Sequence, residues 1–151
     1  MTTIKRLTDT LSVAPQISEA DLATLAAEGF RSVINNRPDG ESADQPASAV
    51  LAAAAARAGL VYREIPVVSG QLQDAQVTAF GAALAELPAP TLAFCRTGTR
   101  STTLWALDAA RVRPVADVVQ TAAEAGYDLG ALRPRLEQAR AAGPARQARN
   151  P

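Results

Sequence analysis

Histidine is absent from all 151 residues. That excludes a Cys–His dyad, a Ser–His–Asp triad and the common zinc sites together. Cysteine occurs once, so no disulfide can form within the chain. With one thiol and no imidazole, a transition-metal site would need carboxylates alone, and we expect neither metal nor cofactor. Long apolar runs are also missing. The run through Leu51–Ala56 stops at Arg57, too short to span a bilayer, and the first nine residues contain no apolar signal core. No sign of charge is in excess. Fifteen basic residues face fifteen acidic ones, so no global field favours nucleic acid or a membrane surface. The expectation is a cytoplasmic soluble protein acting on a small anionic partner. Nothing in the pattern speaks to oligomeric state. At this length one domain is expected over residues 1–142, followed by a frayed tail at 143–151.

What is present concentrates between residues 90 and 107. A short apolar run, Thr91 to Phe94, reads as a buried strand, and a helix carrying Leu104, Trp105 and Leu107 follows. Between them lies Cys95-Arg96-Thr97-Gly98-Thr99-Arg100-Ser101. A thiol at a strand end, a glycine-bearing loop and a helix start together form an anion cradle. Loop and first-turn N–H groups converge there, and the helix dipole adds positive potential. Gly98 allows a positive φ where the loop closes. Arg100 offers a planar donor fork suited to a tetrahedral oxyanion. Ser101 is placed to cap the helix and bond the sulfur. Arg96, Thr97, Gly98 and Thr99 complete the candidate binding loop. A lone cysteine is commonly a buried, inert one, but that alternative leaves the clustered glycine, arginines and hydroxyls unexplained.

The rest of the chain frames this loop. Ile4–Leu7 and Leu11–Ala14 suggest a strand pair, and Ser18 with Asp21 makes a capping box before a helix ended by Gly29. Phe30–Ile34 reads as a strand. The polar loop Asn35–Glu41 then lies where open α/β sheets place ligands, so Arg37 and Asp39 are candidates to line the site. An alanine-rich helix spans Ala47–Ala58. A strand begins at Val61, with regular pairing expected to end near Ile65 because of Pro66. A helix runs from Asp74 to Leu87, with Asp74 better suited to stabilising its dipole than to catalysis. The helix after the candidate loop is expected from Ser101 to Arg113, another over Val115–Ala125, and a last one around Leu129, Leu132 and Leu136. The five arginines between Arg133 and Arg149 read as a solvated basic tail. This order implies an α/β fold, a mostly parallel sheet of four to five strands with helices on both faces. The strand ends at Asn35, Val68 and Cys95 should then share one edge.

Three stretches carry a resemblance. Val33–Glu41, Tyr62–Val67 and Phe94–Ser101 with Leu104-Trp105 resemble the beta-lactamase-hydrolase-like phosphatase-like domain family, over roughly residues 3 to 110. Such domains are similar in fold to dual-specificity and tyrosine phosphatases. The resemblance implies that Cys95 attacks phosphorus, that Arg100 binds phosphoryl oxygens, and that Ser101 stabilises the departing thiolate. Two departures stand out. The phosphatase pattern is Cys-x5-Arg after a histidine, whereas here the spacing is Cys-x4-Arg and Phe94 holds the histidine's place. The shorter loop resembles that of single-domain rhodaneses, which carry a persulfide.

Three chemistries therefore remain open. A phosphatase-like hydrolase needs an acid for the leaving group. The positions where such phosphatases place it, Val68, Ser69 and Gly70, are not acidic, which leaves Asp39 or Asp74 to substitute. A sulfurtransferase forming a Cys95 persulfide from a sulfane-sulfur donor needs no such acid. A non-catalytic module could bind an anion, or sense redox state through Cys95. The family-level match favours the phosphatase-like hydrolase.

Overall fold

The computed structural model describes residues 2–144. Among them lie five strands, β1 (Lys5–Arg6), β2 (Leu11–Ala14), β3 (Ser32–Asn35), β4 (Val61–Glu64) and β5 (Thr91–Phe94). The helices are α1 (Glu19–Ala27), α2 (Ser48–Ala58), α3 (Asp74–Glu86), α4 (Thr99–Ala109), α5 (Val115–Glu124) and α6 (Arg133–Ala142). The expected tail begins at Gly143, which follows α6 directly; its positions 145–151 lie outside the described residues.

The strands form one sheet in the order β1-β2-β5-β3-β4. Only the β1–β2 pairing is antiparallel, as the expected strand pair requires; the others are parallel. The fold is thus the α/β arrangement read from the sequence. β5 sits in the middle, with Thr91 to Phe94 paired to β2 on one side and to β3 on the other. A strand covered on both faces reads as a near-continuous apolar run; all four of its residues are buried, and the one polar member, Thr91, bonds its hydroxyl to that of Ser32 at 2.7 Å.

Side-chain alternation along β5 divides the core. Leu92 and Phe94 pack with Leu22 and Leu25 of α1 and Leu51 of α2. Ala93 faces the other layer, where Phe80 of α3, Leu104 and Trp105 of α4, Val118 of α5 and Leu136 of α6 meet. Burying each such large side chain contributes about 1.5–3 kcal/mol. Trp105 is a core residue, 3% exposed, with the Arg113 guanidinium 5.7 Å above its ring.

Local chemistry sets the boundaries. The Ser18–Asp21 capping box forms in both directions, at 3.2 and 2.9 Å. β4 ends at Glu64, yet the Ile65 amide still donates to Asn35 O and Val67 to Asn36 O. Pro66 has no N–H to give, so the regular ladder stops there. β3 is displaced relative to the expected Phe30–Ile34, running to Asn35. α4 starts two residues earlier than expected: Gly98, at φ +93°, is its N-cap, and the helix already includes Thr99 and Arg100.

Candidate active site

Cys95 stands immediately after β5 and is fully buried. Three residues on, the backbone reverses at Gly98, whose N–H donates to Cys95 Sγ over 3.1 Å. The left-handed φ at Gly98 aims that amide back at the sulfur and launches α4 in one step. The amides of Arg100 and Ser101, in the first turn of α4, have no acceptor inside the helix and add to its positive end. From behind, the Tyr127 hydroxyl donates to Thr97 O at 3.2 Å and packs against Gly98. Burial, then the charge on the Cys95 sulfur, pushes the Tyr127 phenol above its usual value.

Arg100 lies beside Cys95, but its fork is occupied. Nη1 donates to Glu41 Oε2 at 2.7 Å and to Val67 O at 2.8 Å, and Nη2 donates to Glu41 Oε1 at 2.9 Å. Arg37, 4% exposed, donates through Nε to the same Oε1 at 2.9 Å. Its remaining donors go to Gln16 Oε1 and Ser42 Oγ. Glu41 is therefore an anion clamped by two guanidiniums. The Arg100 hydrogen bonds lower its carboxyl to about 2, against an opposing effect of burial and with Arg37 helping. Reciprocally, the bond to Glu41 first, and the nearby Cys95 charge as well, raise Arg100 despite its burial.

Ser101 does not cap α4, because Gly98 takes that position and Ser101 lies in the first turn. Its buried hydroxyl donates to Asn36 Oδ1 at 2.7 Å, and Asn36 Nδ2 donates to Ile65 O at 2.9 Å. Ser101 thus ties α4 to the ends of β3 and β4. Thr97 and Thr99 bond each other through their hydroxyls at 3.0 Å, and the Thr97 oxygen also accepts the Thr99 amide. Arg96 is exposed, and among the described residues its side chain makes no hydrogen bond or ion pair; its carbonyl accepts from the Gln16 amide.

A cleft of about 590 Å3 adjoins this loop, lined by Arg37, Glu41, Ser42, Leu72, Arg96, Thr97, Thr99 and Arg100, with Ser69, Gly70 and Thr103; the buried Cys95 is not among its lining residues. Three arginines against one glutamate leave it with two net positive charges. Arg37 lines it. Asp39 does not: it turns to the start of α2, where Oδ1 accepts the Ser48 amide at 2.8 Å. The polar loop after β3 therefore splits its two acids between helix capping and the site. Asp74 also lies elsewhere, in a second cleft between α3 and α6, with Oδ1 3.1 Å from Arg135. Neither aspartate lines the cleft beside the Cys95 loop. Glu41, Asn36, Gln16 and Tyr127 were not among the residues expected at the site. Glu41 alone carried a signal, four residues after Arg37 in the same turn-rich loop.

Residues 3–112 match the family model described as beta-lactamase hydrolase-like protein, phosphatase-like domain. The chain belongs to this family. A beta-lactamase hydrolase-like protein of Agrobacterium fabrum is 38% identical over 142 residues, which is 92% of this chain and 33% of that protein. One from Xylella fastidiosa is 36% identical over 126 residues, 82% of this chain and 29% of that protein. The chain thus spans about a third of the length of the curated relatives it matches. Among solved structures, a candidate phosphatase from Neisseria meningitidis superposes with a TM-score of 0.82 at 34% identity, covering 90% of this chain and 97% of that one. More distant likenesses share the cysteine-phosphatase-like fold: Tk-PTP, at 13% identity and TM-score 0.66, covers 89% of this chain and 93% of its own. Two others hold small anions, TpbA of P. aeruginosa with pTyr and the SIW14 core domain of S. cerevisiae with citrate. No helix among the described residues is long and apolar enough to cross a membrane.

Proposed function

We propose that this domain is a cysteine-dependent phosphatase-like hydrolase in which the Cys95 thiolate attacks phosphorus in a small oxyanion ester. The observation that carries this reading is the Gly98 N–H directed at Cys95 Sγ, at the positive end of α4, with Arg100 alongside. The loop and first-turn amides would hold the equatorial oxygens, and water would then clear the thiophosphate. Cys95 is fully buried, so a substrate must displace what covers the sulfur. Glu41, an anion already seated on Arg100, is the group that an incoming oxyanion would replace. Once displaced, both Nη groups of Arg100 would face two substrate oxygens, the contact its planar fork suits.

The test is hydrolysis of an aryl phosphate by the full chain beside Cys95→Ser, with intact-mass detection of a phosphorylated enzyme after acid quench. A one-phosphoryl adduct absent from the variant is expected. Full activity in Cys95→Ser would remove Cys95 as nucleophile.

A second reading draws on the Cys-x4-Arg spacing and on Asp39 and Asp74 both lying away from the sulfur. Cys95 could attack a sulfane sulfur, and sulfite would leave already anionic, with no acid required. A one-sulfur mass adduct after thiosulfate, dependent on Cys95 and discharged by a thiol over many turnovers, would move the assignment to sulfur transfer.

A further inference from the structure

We propose that the cleft acts on phosphoric anhydrides, acyl phosphates or diphosphates, whose leaving group departs as a stable anion received by Arg96. This rests on the hydrolase reading above.

The argument concerns where a proton could come from. A phosphate ester of an alcohol leaves as an alkoxide, which demands a general acid within hydrogen-bond reach. Histidine is absent, and every aspartate and glutamate of the chain falls within residues 9–137, all of them described. Among the described residues only one, Glu41, lines the cleft. Its two oxygens accept three guanidinium hydrogen bonds from Arg37 and Arg100, so it has no proton to donate. Released into water by an arriving substrate, a glutamate is still ionised near neutrality. Asp39 is engaged with the Ser48 amide and Asp74 with Arg135. Asp44, within electrostatic reach of Arg37 and Arg96, accepts from Ser42 Oγ at 2.8 Å, and that bond holds its carboxyl below the usual value, so it too is ionised near neutrality. Tyr127 gives its proton to Thr97 O and does not line the cleft. What remains around the cleft is hydroxyls and guanidiniums, which neither donate a proton at neutral pH nor need one.

Such a site can still expel a group that is stable as an anion. The Cys95 sulfur bonds to phosphorus while the bridging P–O bond breaks. That electron pair leaves on the bridging oxygen, as a carboxylate or a phosphate. Water then attacks phosphorus, the S–P bond breaks, Cys95 departs as thiolate, and the water's proton passes to solvent with the inorganic phosphate. No oxidant, metal or acid enters the balance. Arg96 is suited to receive the departing anion, because it is exposed on the rim of the same cleft with its side-chain donors uncommitted. Leu72 is the one large apolar side chain in the lining, and no aromatic ring is there to stack on an aryl group.

The test measures kcat/KM for the full chain on acetyl phosphate, on methyl phosphate and on aryl phosphates of graded phenol acidity, with the Cys95→Ser background subtracted. We expect kcat/KM to fall by about 100-fold or more from the most to the least acidic phenol, since no general acid levels the series. Acetyl phosphate should be turned over and methyl phosphate not detectably. Arg96→Ala should lower kcat/KM for acetyl phosphate by about ten-fold or more, the effect of one charge-assisted hydrogen bond, with an unchanged unfolding midpoint. Cys95-dependent turnover that stays within about threefold across the aryl series, or methyl phosphate cleaved as fast as acetyl phosphate, would overturn the anhydride assignment and leave the hydrolase reading standing. Unchanged kinetics in Arg96→Ala would overturn its role as anion receiver. No Cys95-dependent turnover of any of these substrates would overturn both readings together.

Discussion

Tyr127 occupies the space that a side chain at position 98 would need. A Cβ built on Gly98 falls 2.1 Å from the Tyr127 hydroxyl oxygen and 2.9 Å from Cζ. The glycine is thus required twice, by its φ of +93° and by the phenol against it. The Gly98 amide is also the one that reaches the Cys95 sulfur. Loop geometry and the packing of the α5–α6 connection are consequently a single arrangement.

Gly98→Ala should destabilise the domain by about 1–3 kcal/mol from backbone strain alone, with more from the contact with Tyr127. In the double variant with Tyr127→Ala the two costs should be less than additive, because the contact is counted once. Urea unfolding of the four proteins checks this. A Gly98→Ala midpoint equal to that of the parent would mean the loop has another conformation.

Glu41→Gln removes the charge that neutralises a buried guanidinium, that of Arg37. A loss of about 1–3 kcal/mol is expected, the cost of leaving a buried charged donor poorly satisfied. If Glu41 holds the place of the substrate oxyanion, the same variant should bind small anions more tightly and show a lower KM. A raised KM would instead assign Glu41 to holding Arg100 in position.

Acid should act through the same carboxyl. Its value is about 2 in the folded chain against an ordinary 4.5. A carboxyl lowered on folding stabilises the protein fully above the unfolded value. That contribution shrinks as pH falls from 4.5 towards 2. The stability gap between the parent and Glu41→Gln, measured by denaturant at pH 7 and again near pH 3, should therefore narrow in acid. A gap that widens would contradict the clamp.

Asp39→Ala should cost about 1 kcal/mol through the lost helix-start hydrogen bond to Ser48 and leave kcat unchanged. Asp74→Asn should leave both turnover and its pH profile unchanged, since Asp74 faces a different cleft. A loss of the acidic or basic limb of the pH profile in either variant would return that aspartate to the chemistry.

The sheet, its helices and the position of the Cys95 loop were legible because each follows from short-range rules. Leu92, Ala93 and Phe94 before Cys95 mark a buried strand, and a capping box at Ser18 and Asp21 marks a helix start. The site's electrostatics were not legible in the same way. The partner of Arg100 is 59 residues away, and only the sheet order brings Glu41 to it. Ser101 looked like a cap because hydroxyl residues favour that position. The left-handed Gly98 starts the helix earlier and frees the serine for Asn36, again across the sheet. Asp39 and Glu41 look alike in one polar loop, and nothing local distinguishes the acid that caps α2 from the one that meets the arginines.

The central place of β5 has a mechanical consequence. Its ladder is bonded on both sides, to β2 and to β3, so the chain leading into Cys95 can be released only by opening the sheet at its middle. Local fluctuations that loosen the two-residue β1 or the outer strand β4 leave that anchor untouched. The backbone of β5 is therefore expected to exchange its amide hydrogens only with global unfolding. The sulfur is carried by the central strand, while the turn at residues 39–41 that reaches Arg100 is exposed at the surface. Any rearrangement that uncovers the sulfur is accordingly expected to fall on that turn, with Cys95 as the fixed reference.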